Sequence, residues 1–135
     1  MRFINLLLVL ALVSMSLLLA CSGGDGSANE KVSTTATAVS KAYGARDAKA
    51  YIQACIDHER AISDRTIAVK AQTEGAKDDS ARFRLLGEMA GAGAEAMAAY
   101  MDEAWQSEVQ SKEPAAWKEY MAEKERLQAA RLGQK

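Results

Sequence analysis

One proline in 135 residues, Pro114, limits this chain more than any other feature. With glycine confined to a few clusters, little interrupts long helices, and downstream of residue 47 the apolar side chains recur at spacings of three and four. That period places them on one face of a helix. Three helices are expected. The first runs from about Ala48 to Glu74, with Asp47 as N-cap and Gly75 just beyond its end. Ile52, Cys55, Ile62 and Val69 form its stripe, Tyr51 and Ile56 flank it, and Asp57, Glu59, Arg60, Asp64 and Arg65 make the remainder polar.

Residues 75–80 read as a turn in which Asp78, Asp79 or Ser80 caps the second helix, expected from about Ala81 to Gln110. Its inward stripe is Phe83, Leu86, Ala90, Met97, Met101 and Ala104, broadened by Tyr100, Trp105 and Val109. Pro114 breaks the chain. Ser111 caps a third helix that reaches Leu132, with Trp117, Tyr120, Met121 and Leu127 on one side and Gly133 ending it. At helical spacing these aromatics and methionines read as core. The fold class is all-α: a small antiparallel helical bundle, or a long helical hairpin with a shorter third helix, over residues 41–135. Residues 21–40, rich in Gly, Ser, Thr and Ala and without aromatics, read as a flexible tether of ~25 Å r.m.s. span. Within it Val32, Ala36, Val39 and Tyr43 also recur at helical spacing, but β-branched Thr and Val weaken a helix there.

Residues 1–20 have the form of an export signal: Arg2, then an apolar run from Phe3 to Ala20 broken only by Asn5, Ser14 and Ser16. The run is also long enough for a retained membrane helix, but loop-forming Ser22, Gly23 and Gly24 come after it where flanking cations are usual. Leu18-Leu19-Ala20-Cys21 resembles the lipobox of bacterial lipoproteins. The resemblance covers the signal and Cys21 alone. It implies alkylation of the Cys21 thiol by diacylglycerol, cleavage between Ala20 and Cys21, and acylation of the new amino group. Two or more acyl chains make a stable anchor, whereas one gives marginal binding. Ser22 stands where enterobacterial lipoproteins kept in the inner membrane carry aspartate, so the resemblance implies the outer membrane, facing the periplasm.

The net charge is −1 with both signs interspersed, so no basic patch points to nucleic acid. Of the two cysteines, lipidation would consume Cys21. Cys55 is then alone in an oxidising compartment, either as a small core residue or in an intermolecular disulfide. Cys55 and His58 share a helix face, which is half of a metal site. Asp57 or Glu59 would have to complete it, and no metal or other cofactor is expected. The same pair could activate a thiolate, but no nucleophile turn or oxyanion loop accompanies it, and no catalytic residues are assigned.

Gly87, Gly91, Ala94 and Ala98 form a row of small residues in the second helix. It reads as a docking groove for a partner or second copy, as tight packing against the first helix, or as a kink at Gly91-Ala92-Gly93. Lys135 ends the chain. With the lipobox and the helicity it resembles Braun-type lipoproteins, which implies a peptidoglycan link through that side chain. This chain differs in being alanine-rich and divided. The function expected is a non-enzymatic helical interaction or accessory protein of the cell envelope, membrane-bound through Cys21, with an envelope protein partner or self-association. The alternatives are a peptidoglycan tether through Lys135 and a thiol- or ligand-binding bundle centred on Cys55.

Overall fold

The computed structural model describes residues 26–133, with side chains from Asn29 onward. Cys21, Ala20 and Lys135 therefore lie outside the described residues. The described elements are all helical: α1 (Gly26–Gly44), α2 (Ala48–Gln72), α3 (Ser80–Gly93), a 3-10 turn (Ala94–Ala96), α4 (Met97–Met101), α5 (Glu103–Lys112) and α6 (Pro114–Leu132). No helix among them is long and apolar enough to cross a membrane.

The part of the expected tether from residue 26 to residue 40 is helix instead. From Gly26 the chain is helical, and Val32, Ala36 and Val39 are fully buried. The domain thus begins well before residue 41. Weak propensities in the Ser/Thr-rich stretch are overridden because one face of α1 packs along α2, and burial contributes more than propensity.

α1 and α2 form an antiparallel hairpin whose turn is tightly specified. Arg46 N–H donates to Tyr43 O and Asp47 N–H to Ala42 O, both at 3.1 Å, closing a Schellman motif. Arg46 occupies its left-handed position at φ +54°, where glycine is usual. Asp47 then caps α2 as expected, accepting from Ala50 N at 3.0 Å.

α3 and α4 return beside α1 and α2, and they are not one helix. The 3-10 turn interrupts them after Gly93, so of the readings of the glycine stretch a local break is what the backbone contains. A second break falls at Asp102, with ψ +88°. There Asp102 caps α5 by accepting from Trp105 N at 2.9 Å, while Tyr43 donates its hydroxyl to the same carboxylate at 2.7 Å. Pro114 opens α6 as expected, but the residue before it is Glu113. Ser111 lies inside α5 and caps nothing. α6 runs along α2, joined by Arg60–Glu123 at 3.0 Å, and ends at Gly133 with φ +71°.

The core sits where α1, α2, α4, α5 and α6 meet. Trp105 is its centre, edge-on to Tyr51 at 5.5 Å and Tyr43 at 6.1 Å between ring centroids. Alanines fill much of the remainder.

Candidate functional site

α2 carries a buried polar layer that its sequence pattern does not announce. Glu59 and Arg65, expected on the solvated face, are buried together with His58. Glu59 accepts from Arg131 at 3.1 Å and faces Lys124 at 3.9 Å. Arg65 donates Nε–H to Asn29 at 2.9 Å. A buried carboxylate is tolerated when paired and hydrogen-bonded, and Arg131 and Asn29 bring partners to this layer from distant parts of the chain.

His58 Nδ1 lies 2.9 Å from Thr35 Oγ1. The Thr35 hydroxyl sits 2.9 Å from Lys31 O and 3.0 Å from Val32 O, so it donates to a carbonyl and accepts the Nδ1 proton. On the other side the ring stacks against Tyr100 at 6.1 Å, and its Nε2 edge faces Gly93. Burial pushes the His58 pKa down, against the smaller opposing pull of Glu59. The imidazole is therefore held neutral.

Cys55 is completely buried and unpaired. Burial pushes its thiol up to about 11, outweighing help from the Tyr51 and Tyr100 hydroxyls. A thiol with no exposure and no thiolate character cannot join a second chain while the fold is intact. The expectation of an intermolecular disulfide gives way to the core reading. His58 turns its Nδ1 to Thr35 and is not among the groups that shift the Cys55 thiol. Asp57 accepts from Gln53 at 3.2 Å. Among the described residues no three of His, Cys, Asp and Glu gather where a metal could sit.

The aromatics behave partly as expected. Trp105 and Tyr120 are buried, while Trp117 is half-buried and closes edge-on to Tyr120 at 5.3 Å. Beside them an open cleft of about 430 Å³ lies against α6, its wall completed by Glu59 of α2, Tyr100 of α4 and Gln106 of α5, with Lys124 on the α6 side. Lys124 faces Glu59 at 3.9 Å, so the cleft's two charges oppose each other.

The surface that departs most from expectation is α3–α4. The predicted inward stripe is turned outward: Phe83 is 70% exposed, Met97 56% and Met101 74%, and Ala90 and Ala104 are also exposed. The buried side is instead Leu85, Ala96 and Ala99, with Leu86 and Met89 half-buried. Gly87, Gly91, Ala94 and Ala98 all lie on the exposed side. A Cβ added at Gly87 or Gly91 would touch nothing within 4 Å, so the row does not serve packing against α2. The glycine that does face a neighbour is Gly93, where an added Cβ would stand 3.5 Å from the His58 ring.

The outward face from Phe83 to Met101 thus consists of Phe, Met, Ala and Gly. Charged Arg84, Glu88 and Glu95 sit along its margin, Glu95 accepting from the Thr37 hydroxyl at 2.6 Å. A continuous uncharged strip with large apolar side chains at both ends and small ones between has the shape to receive a convex apolar surface. A signal for it is present in the sequence, since the stripe is apolar. Both sides of this helix are apolar, however, and periodicity does not tell the covered one. No protein-family model matches this chain, and no curated protein or solved structure matches it.

Proposed function

We propose that this chain is a lipid-anchored, non-enzymatic interaction protein of the bacterial cell envelope, docking a protein partner through the outward face of α3–α4 between Gly87 and Met101. The observation that carries the docking role is the solvent exposure of that uncharged face, which leaves Met97 and Met101 largely uncovered and glycines with open space above them. Large exposed apolar strips mark interaction surfaces in soluble domains. The anchoring role is supported by Leu18-Leu19-Ala20-Cys21 and its resemblance to the lipobox. A non-enzymatic role is favoured by the inert state of the chemistry-bearing side chains: Cys55 is buried as a thiol, and His58 is neutral and bonded to Thr35.

The test is site-specific crosslinking in intact envelopes. A photoreactive residue at Ala94 should give one discrete protein adduct, and Met97→Glu with Met101→Glu should abolish it while circular dichroism melting stays unchanged. An adduct that survives both charges, or its absence in envelopes holding the lipidated chain, overturns the docking role.

A further inference from the structure

The bundle has one end from which the chain leads back toward Cys21, and four contacts define that end. Asn29, in the first turns of α1, meets Arg65 at 2.9 Å. Thr66 of α2 meets Met89 of α3 at 3.8 Å, and Arg82 donates to Thr73 at 3.0 Å. The Lys70 ammonium donates to Arg131 O at the close of α6. The start of α1, the close of α2, the first turn of α3 and the close of α6 therefore share one end. Three of the large exposed apolar side chains belong to these segments: Phe83 at 70% exposure, Leu132 at 61% and Ile67 at 47%.

The leash is short. Because α1 begins at Gly26, the chain from Cys21 to Gly26 spans at most about 18 Å when fully stretched. Crossing the headgroup layer of one leaflet takes about 5–8 Å of that. This leaves the start of α1 within roughly 10–13 Å of the membrane surface, far less than a tether through residue 40 would allow.

From this we infer that the end of the bundle carrying Phe83 and Leu132 is seated on the lipid surface, with the Phe83 ring in the headgroup–acyl boundary. The inference rests on lipidation of Cys21. The occupant of these apolar side chains is the bilayer, because a leash this short holds this end of the bundle close to it. Charges at this end are of both signs: Lys70, Lys77, Arg82 and Arg84 among the cations, Glu74, Asp78 and Asp79 among the anions. The seat is accordingly apolar rather than electrostatic, and zwitterionic lipid suffices. The docking face then rises from the membrane along α3 and α4, with Met101 at its far end, near the Tyr43–Asp102 contact.

The test uses the full lipidated chain in phosphatidylethanolamine–phosphatidylglycerol vesicles, with single nitroxides at Phe83→Cys, Leu132→Cys and, as the far-end reference, Ala45→Cys. Buried Cys55 does not label. The ratio of collision with oxygen to collision with a water-soluble nickel complex is read at each position. The ratio should invert, with oxygen favoured at 83 and 132 and nickel favoured at 45. Nickel favoured at all three positions overturns the seat while leaving the anchor intact, provided the intact mass carries acyl groups on Cys21. A nitroxide at 83 shielded from both reagents reports a protein contact, such as a second copy, and also overturns it. A chain without acyl mass overturns the anchoring reading and the seat with it.

Discussion

The Arg46 guanidinium lies 4.8 Å above the Tyr43 ring while the Arg46 backbone holds a left-handed conformation. It also covers Trp105 at 5.0 Å and reaches Asp102 at 3.6 Å. A residue with a Cβ is unfavourable at this φ, and the cation–ring contacts offset that cost. Arg46→Ala keeps the backbone cost and removes the contacts. It should lower the melting temperature by about 5 °C. Arg46→Gly relieves the backbone and should fall between alanine and wild type. Thermal melts of the three chains check the order, and a glycine variant less stable than alanine would contradict it.

The one histidine is buried. Its pKa is lowered in the fold, so the unfolded chain takes up the proton first. Its contribution is complete above the unfolded value of ~6.5 and is lost as pH falls below that toward the depressed folded value. The carboxylates with lowered values, Asp78, Asp102 and Glu123, lose theirs only at more acidic pH, starting near the ordinary carboxylate range. Urea unfolding between pH 7 and 5 should therefore show falling stability in wild type and a flatter profile in His58→Gln. Equal slopes would place the pH dependence elsewhere.

Gly87 and Gly91 sit in α3 with open space where a side chain would go. Alanine there should stabilise the isolated protein by up to about 1 kcal/mol at each position, since glycine costs a helix about that much. If the partner's backbone approaches these positions closely, the same variants keep the fold and weaken the Ala94 crosslink. A loss of melting temperature would show that the glycines serve the fold instead.

Cys55 should resist thiol reagents in the folded protein. In a chain carrying Cys21→Ser, reaction with an aromatic disulfide at pH 8 should proceed only as fast as the protein opens, and urea should accelerate it in step with unfolding. Rapid reaction of the native chain would mean that the α2 core opens readily.

The start of α2 and both ends of α6 are legible in the sequence because their signals are local. Asp47, Pro114 and Gly133 act within a turn of themselves, and the structure uses each where the sequence places it. α1 is obscured because serine and threonine weaken a helix in isolation, although Val32, Ala36 and Val39 already carry the period that α2 covers. The inversion of α3–α4 is not legible: Phe83, Met97 and Met101 outweigh Leu85, Ala96 and Ala99 in hydrophobicity, so any reading by apolar weight turns the helix the wrong way. Buried Glu59 and Arg65 depend on Arg131 and Asn29, which only the fold brings near.

α3 keeps a single residue, Leu85, fully inside the protein. Everything else that joins its first three turns to the bundle is partial or lies at the rim. Such a segment opens on its own at a fraction of the energy needed to unfold the whole. Its amides should be among the first in the described chain to exchange with deuterium, ahead of those flanking Trp105. A partner covering Gly87 to Met101 would slow that exchange before it changed anything else, so the segment that marks the surface also reports when the surface is occupied.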